Sequence, residues 1–508
     1  MEPISSQPER SGITKLSDLV AILENDSGLA KNQHPIVLVP GFTGFGEPLF
    51  GSVNYWGGFE DLPLQLKERT NVPIILPRIG PISSNWERAC ELYCQLHIIQ
   101  RQGPGTGFDE RNQFPATNIP VDYGQYISIL PPQTPQTPWS TKQAAVLGTL
   151  DPCWRWNDEH PVHMICHSQG GNTVRLLIEL LSGRHGQKHP SYFNYGNQQN
   201  MIKSVVTLGT PYQGTTITSV IFDQILLNVN VGEVISRLVV SASLNPTRFV
   251  DLQLGHWGFT PRPRETFLDM HNRLQASILT WWNSVHNGIR DNGIDGITRL
   301  NQVFNPQVSP QTYYLTMSFD ATRPFPEEDL NANDFSRVPV NKILSLGGFL
   351  YPGPWSILAH GASFLLAGLH RLITFGPGSP SDVDIARWFV QVFNEHAAAL
   401  GYQFKIPSPG GRIPRNDMLP ILVIFSLGMS GVSAPFGPSE ENDGVVDTVS
   451  MRGPEGNTIQ DITNFDTQAP ARNRGVYWHL GVTEAIDHAD QVGVFTDAQT
   501  DCLEISSP

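Results

Sequence analysis

The run Val162-His-Met-Ile-Cys-His-Ser168-Gln-Gly-Gly171 carries the clearest chemistry in this 508-residue chain. An apolar strand, a sharp turn and a helical pattern follow one another, which sets Ser168 on a strained strand-to-helix junction with its Oγ exposed. Small neighbours let other backbone approach such a turn. The helix that follows aims its N-terminal dipole at the nucleophile and at an oxyanion beside it. In the pattern G-x-S-x-G the first glycine position is held here by Cys166, a side chain small enough to fit and close enough to suggest sensitivity to bulky thiol reagents. The alternative is an ordinary turn serine beside a helix cap; the coincidence of strand, elbow and Gly-Gly helix start favours the nucleophile.

A lone serine attacks poorly, so a base and an orienting acid should follow it, in the order Ser, Asp, His. Asp443, in Glu440-Glu-Asn-Asp443-Gly-Val-Val-Asp447, ends a loop directly before a glycine and a short apolar strand, and it is the favoured acid. Asp447 falls inside or beyond that strand, and the whole stretch also reads as a surface turn or a calcium loop. The favoured base is His488, in Glu484-Ala-Ile-Asp487-His488-Ala-Asp490, where a loop before the apolar Val492 to Phe495 delivers it to the sheet edge. His479, beside Trp478, is the rival, and there a packed structural histidine is the competing reading.

Elements must hold these groups in place. Pro35 to Gly41 reads as a buried strand ending in a glycine turn, and similar apolar runs recur at Val72 to Leu76, Val162 to Cys166, Ser204 to Leu208, Tyr313 to Phe319 and Ile421 to Phe425. Helical patterns at Trp86 to Ile99 and Gly171 to Leu181 separate several of them, which predicts an α/β fold with a mostly parallel sheet between helices. Residues 215–245 are apolar and helical with few charges, a composition suited to a cap over a site. Residues 354–376 are the most hydrophobic stretch; their interior His360, His370 and Arg371 favour a core helix over a membrane span.

Composition narrows the function classes. Charged residues are 16 %, below the roughly 25 % of an average domain, while glycine and proline number 46 and 41. The chain is loop-rich yet apolar enough for a core, so neither global disorder nor a collagen-like fibre fits. With a net charge of -14 and only 33 Lys plus Arg, no basic stripe can neutralise phosphates, and nucleic-acid binding is disfavoured. Five cysteines without paired spacing predict no disulfide framework and no zinc site. No apolar core suited to a secretory signal occurs near the start, which predicts a cytoplasmic protein, with peripheral membrane contact left open.

These residues together resemble the thermoalkalophilic bacterial lipases and relatives with a lipase-like C-terminal region, proteins of the α/β-hydrolase fold. The resemblance lies in Val39-Pro-Gly-Phe-Thr-Gly44, Tyr55-Trp-Gly-Gly58, Ser83-Ser-Asn-Trp-Glu-Arg-Ala89, His167-Ser-Gln-Gly-Gly171, Thr210-Pro-Tyr-Gln-Gly-Thr215, His256-Trp-Gly258, Glu441-Asn-Asp-Gly444, Thr448-Val-Ser-Met451 and Asp487-His488. It implies a Ser168, Asp443, His488 triad and an oxyanion hole of the Phe42 and Gln169 N–H groups. It further implies ester hydrolysis through an acyl-enzyme, a lipid or other ester as substrate, and lid helices within 215–245.

Departures from the family pattern bear on metals. Near Trp86 and Trp257 the family's zinc-binding acids are replaced by Glu87 and Gly255, so no zinc is expected. Half of the family's calcium site is matched, by Asp490, with Phe495 where a further Asp is wanted; calcium is not required but has a foothold. The expected organisation is a polar segment at 1–30 and one hydrolase domain at 31–508, with insertions near 97–157, 215–300 (lid) and 320–420. Two further readings stay open: an intracellular biosynthetic esterase or acyltransferase using the same triad, and a non-catalytic lipid- or partner-binding protein of this fold.

Overall fold

The structure is a computed structural model, described here for residues 11–24, 32–46, 53–99, 118–124, 140–151, 154–184, 193, 196–219, 231–244, 251–324, 412–415, 418, 422, 425, 426, 429 and 441–493. Residues 354–376, most of the 320–420 insertion and Phe495 lie outside them.

In chain order the elements are α1 (Ser11–Glu24), β1 (Ile36–Val39), α2 (Leu62–Thr70), β2 (Ile74–Leu76), α3 (Asn85–Ile98), β3 (Asn118–Pro120), β4 (Ser140–Lys142), β5 (Ala145–Leu147), β6 (Val162–His167), α4 (Gln169–Leu181) and β7 (Ile202–Leu208). There follow the single turn α5 (Ile217–Ser219), α6 (Val231–Leu244), α7 (Phe267–Trp282), α8 (Gly288–Asn292), α9 (Ile294–Phe304), β8 (Tyr313–Asp320), β9 (Thr322–Pro324), β10 (Arg412–Pro414), β11 (Ile459–Asp461) and β12 (Tyr477–Glu484).

Eight strands form one sheet in the order β11-β12-β8-β7-β6-β1-β2-β5, and every pairing is parallel except that of β5 on β2. The mostly parallel sheet expected from the alternating strand and helix patterns is therefore present. Strand β1 shows why its sequence is apolar throughout: Val37 and Val39 enter the core under α3 and α4, while Ile36 and Leu38 enter a second cluster with Tyr55, Trp56 and Leu422. Side chains alternate across a strand, so a strand covered on both faces has no polar position to offer. All thirteen residues of α4 are buried, so the helix behind Ser168 is anchored on every side.

Two sequence readings change, those at Ile421 to Phe425 and directly past Asp443. Leu422, Phe425, Ser426 and Met429 are helical, and Leu422, Ser426 and Met429 are buried; that spacing is the helical repeat and not the strand expected at Ile421 to Phe425. Past Asp443 the apolar residues form no strand: Asn442 and Asp447 make an isolated bridge and Thr448–Arg452 a 3-10 turn. Likewise His488 is followed by the 3-10 turn Asp490–Val492. The Pro-rich stretch 97–157 contributes β5 to the main sheet. Helix α1 docks through Ile13, Leu16 and Leu19 on the cluster that holds Trp478 and Leu480, and Lys15 Nζ lies 2.7 Å from Asp461.

Above the sheet, α6 and α7 close a separate apolar cluster with Trp257, Phe259, Trp281 and Trp282. Among the described residues no helix is long and apolar enough to cross a membrane.

Candidate active site

Ser168 stands between β6 and α4 with φ 51° and ψ -128°, in the region that side chains with a Cβ avoid. Such a conformation costs about 1–3 kcal/mol and persists only where surroundings hold it. Here its N–H donates to Leu208 O at 2.8 Å, and its carbonyl accepts from Gly171 N–H at 3.1 Å and from Thr210 Oγ1 at 2.9 Å. Close approach explains two of the small residues beside it. A Cβ on Gly170 would lie 2.6 Å from Val39 O, and one on Gly41 would lie 2.6 Å from Ser168 Cβ. Cys166 is fully buried and burial pushes its thiol up, so the thiol sensitivity suggested by its nearness to Ser168 is not supported: the sulfur is an inert core group.

Two loops at the far end of the chain supply the acid and the base. His488 follows β12, and its Nδ1 is 2.7 Å from Asp443 Oδ2 while its N–H donates to Asp443 O at 3.0 Å. Asp443 is wholly buried; its Oδ1 accepts the N–H groups of Val445 and Val446 at 2.9 and 2.7 Å, and Gln491 Nε2 donates to Oδ2 at 2.7 Å. With Nδ1 engaged, Nε2 is the His488 nitrogen left to handle a proton. The ring packs on that of His167, the residue preceding Ser168, with centroids 4.5 Å apart. Asp487 fixes the loop by accepting the N–H groups of Ala489 and Asp490.

Both rivals have other duties. His479 lies within β12, 3.2 Å from Thr316 Oγ1, and burial, with Arg452 nearby, pulls it down to about 4. Asp447 accepts the N–H and hydroxyl of Thr216 at 2.9 and 3.0 Å, tying the turn before α5 to the acid loop, and burial pushes it up to about 6.

The two candidate oxyanion donors flank Ser168. Gln169 is the first residue of α4, so its N–H has no partner within the helix, and its side chain is held by Ser83 O at 2.9 Å. Phe42 lies in the turn after β1, and that turn is clamped on all sides. Gly41 N–H donates to Tyr55 Oη at 2.9 Å and Thr43 N–H to Pro81 O at 2.6 Å. Arg88, fully buried, donates to Pro40 O, to Gly80 O at 2.9 Å and to Thr173 Oγ1 at 3.2 Å; burial lowers it to about 10, still charged at neutral pH. Tyr55 and Arg88 fall inside stretches that carry the family resemblance, but their bracing roles are not readable there, because both act on backbone whose position only the fold defines.

The metal expectations meet a different chemistry. Glu87 Oε1 is 2.6 Å from His256 Nε2 and 2.7 Å from Trp257 Nε1, and Oε2 accepts from Ser84 N–H at 3.0 Å and Ser84 Oγ at 2.5 Å. Burial works against the charge of Glu87, but the hydrogen bond and electrostatic pull of His256 hold it below the usual value. With its oxygens so occupied, Glu87 does not fit a zinc ion. No group of three or more His, Cys, Asp or Glu side chains placed to hold a metal occurs among the described residues, Asp490 included.

Comparison with known proteins agrees with this architecture. A family model described as "Lipase-like, C-terminal domain" matches residues 150–343. "Lipase 1" of Staphylococcus aureus is 28 % identical over 361 residues, 63 % of this chain and 46 % of that protein, and "Lipase" of Staphylococcus epidermidis is 30 % identical over 310 residues, 56 % and 38 % respectively. This chain thus spans about half the length of the curated relatives it matches. Two solved structures superpose over nearly the whole chain. Staphylococcus hyicus lipase does so with a TM-score of 0.59 at 20 % identity, covering 94 % of this chain and 93 % of that one. EstA from Clostridium botulinum does so with a TM-score of 0.57 at 21 % identity, covering 95 % and 88 %.

The fold is that of the α/β-hydrolases. Within it, the chain is similar to bacterial lipases, and its residues 150–343 match the lipase-like family model.

Proposed function

We propose that this protein is a serine hydrolase of carboxylic esters of lipids. The observation that carries the reading is the Asp443–His488 pair, 2.7 Å apart, packed against the residue next to a serine in a strained elbow. The lipase names of the relatives support the same substrate class.

In this mechanism His488 Nε2 takes the proton of Ser168 Oγ as the oxygen attacks the ester carbonyl. Asp443 holds the imidazole by Nδ1 and stabilises the imidazolium. The carbonyl oxygen gains its negative charge between the N–H groups of Phe42 and Gln169; losing one such donor typically costs about 2.7–4 kcal/mol. His488 then protonates the leaving alcohol, and the acyl group stays on Ser168. Water, deprotonated by the same nitrogen, attacks the acyl-enzyme and releases the acid. An alcohol or amine in place of that water would make the protein an acyltransferase with unchanged machinery.

The apolar layer of α6 and α7 supports a cap over the acyl chain, hinged where Thr216 meets Asp447. A p-nitrophenyl ester series of increasing acyl length tests the whole reading. The expected result is turnover that rises with chain length and vanishes in S168A; equal turnover by S168A would overturn it.

A further inference from the structure

Gln491 lies three residues beyond His488, in the 3-10 turn Asp490–Val492. Its Nε2 donates to Asp443 Oδ2, the oxygen that also takes His488 Nδ1, and both contacts measure 2.7 Å. The remaining Asp443 oxygen is filled by Val445 and Val446 N–H. Gln491 is the one side chain besides His488 that these contacts bring to the carboxylate.

The other end of the amide faces an equally unusual group. Gln491 Oε1 and His167 Nε2 are both buried without a hydrogen-bond partner. Burial, with His488 beside it, pulls His167 far below its ordinary value, while the backbone of His488 and the side chain of Gln491 act on it in the opposite direction. On the other side of the ring, Tyr55 Oη accepts Gly41 N–H and lies 2.6 Å from His167 Nδ1. The amide has little room to turn elsewhere: a Cβ on Gly209, the glycine after β7, would stand 2.2 Å from Gln491 Oε1.

We propose that Gln491 is a positioning residue for the ester-cleaving site, its Nε2 holding the buried Asp443 carboxylate at the same oxygen that takes His488 Nδ1. That grip keeps the carboxylate turned toward the ring of His488. The proposal rests on the hydrolase reading, since the group it positions is the proposed base.

The test uses the full chain with Q491M, which keeps length without donor or acceptor, and Q491N, which keeps the amide but falls short of Asp443. Three quantities are read: kcat and KM on a soluble p-nitrophenyl ester, the thermal midpoint, and the downfield proton resonance of His488 Nδ1–H. The expected result is a kcat lower by about tenfold or more, an unchanged KM and a displaced resonance in both variants. A resonance left in place overturns the proposal, whether kcat is unchanged or falls together with the midpoint, because a purely structural glutamine would leave the Asp443–His488 bond alone. If one variant fails to fold, the other decides. If the wild type turns over no ester, the hydrolase reading fails, and the resonance still decides the role of Gln491: displacement supports it, constancy removes it.

Discussion

The structure holds two buried carboxylate–imidazole pairs of nearly equal length, Asp443–His488 at 2.7 Å and Glu87–His256 at 2.6 Å. Distance does not distinguish them; what surrounds the imidazole does. His488 gives Nδ1 to its acid and keeps Nε2, on a loop beside His167. His256 gives Nε2 to Glu87 and is sandwiched between Tyr123 and Trp257, with ring centroids 4.5 and 5.7 Å away, and it is only 3 % exposed. A base needs a nitrogen free to meet a nucleophile, whereas a clasp needs every polar atom engaged. The first pair has the arrangement that the proposed proton transfer requires; the second fastens the turn at His256 and Trp257 to α3.

The largest effect should come from breaking the first pair. H488A and D443N are expected to lower kcat by about 10⁴-fold or more on a soluble ester, with the thermal midpoint little changed. Breaking the second should do the reverse. H256A leaves a buried carboxylate without its imidazole, so a loss of about 3–5 kcal/mol is expected, read by denaturant unfolding, with kcat reduced only severalfold. Equal kinetic damage from both would erase the distinction.

The smallest effect is a slope. Glu91, beside Glu87, accepts Gly80 N–H at 2.6 Å and the Tyr123 hydroxyl at 2.8 Å, and burial pushes it up to about 7. Its folded form holds a proton that the unfolded chain has already lost, so its contribution to stability falls as pH rises from about 4.5 to 7. Glu87, held low, contributes in the opposite sense and loses its stabilisation only as pH drops below the ordinary carboxylate range. E91Q should therefore flatten the decline in thermal midpoint across pH 5 to 7; an unchanged slope would remove Glu91 as its source.

Much of this was legible in the sequence because the signals are local. Ser168 sits where a strand pattern, a turn and a glycine-led helix abut, and Asp443 and His488 follow in the order the sheet requires. Strand boundaries past residue 420 were misread because three or four apolar residues in a row suit a strand or a helical turn equally well. The helical residues Leu422, Phe425, Ser426 and Met429 show their repeat only in the folded structure. Tyr55, Arg88 and Gln491 were invisible as functional residues for another reason. Their partners, Gly41, Pro40 and Asp443, lie 14, 48 and 48 positions away and are brought near only by the folded sheet.

One measurement bears most directly on the assignment of the first pair to chemistry and the second to structure. Wild type, S168A, H488A and H256A would each be treated with a fluorophosphonate and the adduct mapped by peptide mass spectrometry. The expected result is a single adduct on Ser168 in wild type and H256A, and none in S168A or H488A within the same time. An adduct elsewhere, or labelling of S168A equal to wild type, would contradict the account.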